Sequence, residues 1–213
     1  MPLSEKTLVI ACGAIAREIL AVSTLNGWEH LEVQALPAGL HNRPERIPGA
    51  MREKIEANKN LFDRIICGYA DCGTGGLLDE VIDEYGIERL PGAHCYAFFT
   101  GHEDFAELAE EELGTFYLTD YLARQFETLI IKGMGIDRHP ELRDMYFQHY
   151  KRLVYLAQTD DAALQEKAQA AADRLGLAYE YRYTGLMPFD SDMQTLMKSE
   201  NDTDGKPDHR LLA

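Results

Sequence analysis

The chain has 213 residues, 46% of them hydrophobic, enough to bury the core of one medium-sized domain or two small ones. Its formal charge of −15, from 36 acidic against 21 basic side chains, argues against nucleic acid and anionic membrane as partners, since both select a basic face. No stretch approaches the ~18 consecutive apolar residues of a membrane span, and residues 1–6 lack the pattern of a secretory leader, so a cytosolic location is expected. Four cysteines in a reducing compartment point to metal or catalysis rather than to disulfides.

In chain order, residues 7–11 (Thr-Leu-Val-Ile-Ala) read as a short buried strand. Gly13 then turns the chain into a helix over 15–25, which Asn26-Gly27 ends. Residues 31–36 are the second strand. A loop over 37–48 follows, with three prolines, and a helix over 48–59 starts near Pro48. The third strand spans 61–68 around Ile65-Ile66-Cys67, and an amphipathic helix over 77–85 stops at Gly86. A short fourth strand is predicted over 87–90. Helices follow over 105–113, 119–131 and from Pro140 to about residue 150. Residues 153–157 are a fifth strand, 160–175 a helix capped by Asp160, and 177–183 a last strand alternating at Tyr179, Tyr181 and Tyr183.

This β-α-β-α rhythm predicts an α/β fold with an open, mostly parallel, doubly wound sheet of Rossmann-like type and helices on both faces. Residues 1–190 are expected to form the domain, divisible into halves at about 1–115 and 116–190. Residues 191–213, rich in Asp, Ser, Asn and Gly, read as a polar, disordered tail.

Each cysteine lies where a strand runs out, at the rim where parallel sheets bind their ligands. Cys12 sits in a tight strand-to-helix turn whose helix N-terminus favours thiolate, although a small buried thiol is the ordinary alternative. Cys67 still belongs to its strand and reads mainly as structural. Cys72 stands in Cys67-Gly-Tyr-Ala-Asp-Cys-Gly-Thr-Gly-Gly76, a glycine-rich loop of the kind that brings backbone close to a ligand. The Cys-x₄-Cys spacing is not that of a zinc ribbon, and neither a dinucleotide fingerprint nor a phosphate-binding Gly-Lys-Ser/Thr follows it. His94 and Cys95 are neighbours after the Pro91-Gly92 turn. Only one of two adjacent side chains faces a given point, and Cys95 is chosen because it completes three rim thiols. His41, in the proline-rich loop, offers a nitrogen ligand. Arg43 and Arg46 stand out as cations for an anionic group. The Gly73 and Gly75 amides and Tyr96 complete the expected substrate-binding set, with Tyr69 and Tyr183 as further wall residues. No Gly-x-Ser-x-Gly elbow and no His-Glu-x-x-His occurs.

Four segments in order resemble one uncharacterised bacterial and archaeal family, domain of unknown function 1638. They are Leu8-Val-Ile-Ala-Cys-Gly-Ala-Ile-Ala-Arg-Glu-Ile19, Leu36-Pro-Ala-Gly-Leu-His41, Gly68-Tyr-Ala-Asp-Cys-Gly-Thr-Gly75 and Pro91-Gly-Ala-His-Cys-Tyr96. The resemblance runs over about residues 6–190 and implies an association with corrinoid-dependent methyl transfer and one-carbon metabolism. It carries no established reaction.

The leading expectation is a cytosolic metal-binding protein with Cys12, His41, Cys72 and Cys95 as ligands and Cys67 or His94 as substitutes. Three thiolates and an imidazole suit tetrahedral zinc, while an iron–sulfur cluster or haem accepts the same donors. One alternative is a metal-free enzyme with Cys72 or Cys95 as nucleophile, His94 or His41 as base, and a small anionic substrate. Another is an interaction module for a methyltransferase or corrinoid protein, using the acidic surface and tail.

Overall fold

The computed structural model describes residues 5–198. Its strands are all paired in parallel and divide into two sheets with orders β2-β1-β3-β4 and β5-β6-β7. The fold is α/β, with parallel sheets and helices on both faces of each.

The chain forms two compact units, one from residues up to 95 together with those from 188 onward, the other from residues 96–187. In the first, β1 (Thr7–Cys12) is the central strand and every one of its residues is buried. A strand buried on both faces has no solvent side to alternate toward, so it reads as a continuous apolar run. It pairs with β2 (Leu31–Leu36) on one side and β3 (Arg64–Gly68) on the other, and β3 carries the two-residue β4 (Glu88–Arg89). Helix α1 (Ala16–Asn26) leads from β1 to β2, and α2 (Ile47–Asn58) leads back across β1 to β3. Right-handed crossovers in opposite directions put these two helices on opposite faces. Helix α3 (Leu77–Glu84) packs beside α2. Two short 3₁₀ turns, Ala38–Asn42 and Pro44–Arg46, structure the proline-rich connection.

The second unit begins with α4 (Tyr96–Thr100) and α5 (His102–Glu111). Its sheet consists of β5 (Thr115–Leu118), β6 (Arg152–Ala157) and β7 (Ala178–Tyr183). Side chains alternate by face. Leu153, Tyr155 and Ala157 join the core beneath α6 (Asp120–Phe126) and α8 (Ala162–Leu175), while Val154 and Leu156 meet Leu108 and Phe105 of α5. Helix α7 (Glu141–Phe147) lies between α6 and β6 in the chain.

Several elements differ from expectation. β5 is absent from the sequence reading because four residues give too little periodicity to distinguish a strand, and its pairing with β6 makes it one. Helix α6 widens into a π-helical stretch over Glu127–Lys132, which turns the consecutive Ile130 and Ile131 both inward. The cap of α8 is Asp161, not Asp160: its Oδ1 accepts from the Ala163 and Leu164 amides at 2.9 and 3.3 Å. The tail expected to begin at 191 is helical as far as 198, within α9 (Met187–Lys198). Phe189, Met193 and Leu196, at spacings of four and three, bury one face of it. Asn26 on α1 donates to Asp190 at 2.6 Å, and Arg64 donates to the Leu196 carbonyl at 2.8 Å. Residues 199–213 lie outside the described residues.

At Gly68 a Cβ would stand 2.9 Å from the Ala11 Cβ and 3.2 Å from its Cα. We expect Gly68→Ala to destabilise the protein by about 1–3 kcal/mol through overpacking, read as a lower urea midpoint at unchanged slope.

Candidate functional site

From β1 the chain moves outward to β2 on one side, and later to β3 on the other. The crevice beyond the carboxyl ends of β1 and β3 is thus a topological switch point, the place where open α/β sheets hold ligands. Cys12 is the last residue of β1. The register pairs Ala11 with Gly68, so one step further Cys12 is level with Tyr69. Beyond Cys12 the turn is tight: the Gly13 amide donates to the Leu36 carbonyl at 3.0 Å, and the Ala14 amide lies 3.5 Å from the Cys12 Sγ.

Two loops bring the next thiols to the same rim. Cys72 has φ of +52°, the one non-glycine residue with positive φ among the described residues. Such a conformation costs energy and needs support from its surroundings. Asp71 supplies it. One oxygen accepts from the Gly73 and Gly75 amides, both at 3.2 Å, and the other from the Thr74 hydroxyl at 2.7 Å and the Gly76 amide at 2.9 Å. These bonds hold the Asp71 carboxyl below the usual carboxylate range despite partial burial. The loop is joined to the one after β4, with the Asp71 amide donating to the Gly92 carbonyl at 3.1 Å and the Cys72 amide to the Ala93 carbonyl at 2.9 Å. Arg89, 4% exposed, braces that second loop. It donates to the carbonyls of Leu90 at 2.8 Å and Gly92 at 3.2 Å and is paired with Asp79.

The thiols sense one another. The Cys95 thiol hydrogen-bonds to the Cys72 sulfur, which lowers the Cys72 pKa against the opposing effect of burial. The same bond, burial and the nearby Cys72 and Cys12 sulfurs raise Cys95. The pair therefore gives up its first proton readily and its second with difficulty. At Cys12 burial pushes the pKa up to about 11, outweighing the Ala14 amide, as suits a small buried thiol. Cys67 is fully buried and also raised by burial, with the Arg89 guanidinium in partial opposition. The Tyr69 hydroxyl, on a residue 1% exposed, has no well-formed hydrogen bond; it faces the sulfurs of Cys12, Cys67 and Cys72, and burial raises its pKa.

His41 and His94 are both solvent-exposed residues, yet burial of the His41 ring, and secondarily the charge of a nearby His94, lower the His41 pKa. Arg43 is exposed, between the two 3₁₀ turns. Its loop reaches the cysteine loop: a Cβ on Gly73 would lie 3.7 Å from the Pro44 Cγ. The Gly73 and Gly75 amides are engaged by Asp71, so an incoming anion would have to displace that carboxylate to reach them. Tyr96 belongs to the second unit, where its ring lies 5.3 Å from Tyr117 and 6.0 Å from Phe105. Tyr183 ends β7 of that unit. Sequence reasoning missed Asp71 and Arg89 as the braces. The Asp-x-x-Thr/Gly spacing of the loop signals an Asx-type turn, whereas nothing local marks Arg89.

Among the described residues, no three His, Cys, Asp or Glu side chains already stand in an arrangement that holds a metal ion. The donor chemistry itself, three thiols near one another, suits a soft divalent ion.

The sequence profile of the family described as protein of unknown function (DUF1638) matches residues 35–191. The chain belongs to this family. The matched DUF1638 region contains His41, Cys67, Cys72, His94 and Cys95, and begins after Cys12. No curated protein matches the chain. Among solved structures, ornithine carbamoyltransferase from Pyrococcus furiosus aligns at 12% identity over 85% of this chain, with a TM-score of 0.24. The chain spans 55% of that enzyme's length.

The lowered Cys72 and raised Cys12 set an order of reactivity, because alkylation proceeds through the thiolate. Raising pH from 7 should label Cys72 first, and Cys12 only as pH nears its pKa of about 11. Peptide mass spectrometry after iodoacetamide treatment reads this order. Equal rates at all sites would contradict the electrostatics described.

Proposed function

We propose that the chain is a metal-binding protein of the cytosol whose centre is Cys12, Cys72 and Cys95, completed by the His41 imidazole, with zinc as the ion. The observation that supports this reading is the nearness of three sulfurs, from the end of β1 and from the loops after β3 and β4, beside the switch-point crevice. Zinc bonds thiolates at about 2.3 Å and takes four donors in a tetrahedron. Rotation of the side chains about χ1 would have to draw the sulfurs together. The strained Cys72 and its Asp71 brace fit a loop shaped for a ligand. His94 and Cys67 are the substitute donors. With all four positions filled by protein the site would be structural or a sensor; were one donor exchangeable, a zinc held there would supply Lewis acidity, with the Tyr69 hydroxyl as a hydrogen-bond donor beside it. Arg43 would bind an anionic substrate group. Service to corrinoid-dependent methyl transfer, with a methyltransferase or corrinoid protein as partner, rests on the family resemblance alone.

A second reading follows from the low pKa of Cys72. In it Cys72 is a nucleophile without metal: His94 or His41 is the base that takes its thiol proton, and the thiolate attacks a small anionic substrate held by Arg43.

Elemental analysis and an absorption spectrum of anaerobically purified protein decide between these readings. The metal reading expects about one zinc per chain and a loss of binding of at least ~10-fold in each of Cys12→Ser, Cys72→Ser and Cys95→Ser. Iron with visible absorption would replace zinc by a cluster or haem. Metal-free protein in every preparation, with one electrophile-reactive cysteine, would favour the nucleophile.

A further inference from the structure

We propose that β7 is a self-association edge, through which two copies of the chain pair antiparallel about Tyr181 to form one continuous six-stranded sheet. β7 is hydrogen-bonded to β6 alone among the described strands. The Ala178 amide donates to the Lys151 carbonyl at 3.0 Å and the Thr184 amide to the Ala157 carbonyl at 2.9 Å. In a parallel ladder the even-numbered residues 178, 180, 182 and 184 therefore face β6. The amides and carbonyls of Tyr179, Tyr181 and Tyr183 point to the open side. The strand is six residues long and carries no proline and no lysine, two of the devices that guard an edge. Tyr181 is 36% exposed and Tyr183 61%.

Side-chain charge selects the partner and the register. A two-fold antiparallel pairing must match outward-facing residues with one another. Centring the axis on residue 180 would set Glu180 against its own copy, and centring it on 182 would do the same to Arg182. Both are like-charge pairs, which destabilise a sheet. Centring on Tyr181 sets Glu180 opposite Arg182 of the partner subunit, twice by symmetry, at the closely spaced non-hydrogen-bonded positions. On the other face it sets Tyr179 opposite the partner's Tyr183 and Tyr181 opposite the partner's Tyr181. Within one chain, Glu180 pairs with Arg182 at 2.5 Å and with Arg152 at 3.0 Å, and Arg182 also with Glu111 at 3.6 Å, so both charges are held on one face beside the edge. The sequence Tyr-Glu-Tyr-Arg-Tyr is thus complementary to itself under two-fold symmetry.

Sedimentation analysis of the full chain should give twice the 24.1 kDa chain mass at micromolar concentration. Arg182→Glu and Glu180→Arg should each sediment as monomers, because each makes positions 180 and 182 alike in charge. An equimolar mixture of the two should recover the dimer, since opposite charges then face one another across the edge. If Glu180→Arg fails to fold beside Arg152, Tyr181→Pro serves instead. It removes an outward amide and leaves the bonds to β6 intact, so it should give a folded monomer by circular dichroism. A wild-type chain that stays monomeric, or a dimer that survives Arg182→Glu and Tyr181→Pro, would overturn the proposal.

Discussion

With its two oxygens Asp71 holds the amides of Gly73, Gly75 and Gly76 and the Thr74 hydroxyl, and this one carboxylate fixes a loop whose glycines would otherwise leave it free. The position of Cys72 depends on that loop, and through the amide bonds to Gly92 and Ala93 so does the approach of Cys95. Arg89 completes the frame from below by tying the carbonyls of Leu90 and Gly92 to a buried ion pair with Asp79. A buried guanidinium is tolerable because each of its three nitrogens has an acceptor and its charge is paired with Asp79. A third support is steric. β3 can run close enough to β1 to share the crevice only because Gly68 offers no side chain to Ala11.

The thiols occupy different electrostatic positions within this frame. Burial dominates at Cys12 and Cys67 and keeps both protonated at neutral pH. At Cys72 the hydrogen bond from a second thiol outweighs burial. An acidic protein offers little long-range help to a thiolate, so the local donor is what matters. A soft cation entering the crevice would reverse the balance at Cys12 and Cys95, since its charge compensates the desolvation that helps hold their protons on, and would reinforce it at Cys72.

The second unit is organised by strict alternation. Tyr155 and its even-face opposites serve two separate cores, one under α6 and α8, the other against α5. At the carboxyl end of β5, Asp120 is buried at 1% exposure and accepts from Tyr155, Thr159 and the Gln158 amide. That network closes on itself and ties β5 to β6. The same alternation leaves β7 with an open edge of tyrosines on one face and paired charges on the other.

By itself the sequence determined the α/β class, most of the helices and six of the strands, because buried runs such as Thr7–Cys12 and amphipathic stretches such as Leu77–Glu84 carry their period locally. It also placed Cys12, Cys72 and Cys95 at one rim, since parallel topology sends every strand's carboxyl end the same way. It could not show β5, whose four residues become a strand only against β6, nor α9, whose polar composition hides Phe189, Met193 and Leu196 on one face. Tertiary structure alone divided the strands into two sheets and gave Asp71 its four donors. It alone pressed the Cys12 thiol to a high pKa and set the Cys95 thiol against Cys72. These outcomes depend on burial and on contacts between residues distant in sequence, and no local pattern of residues records either.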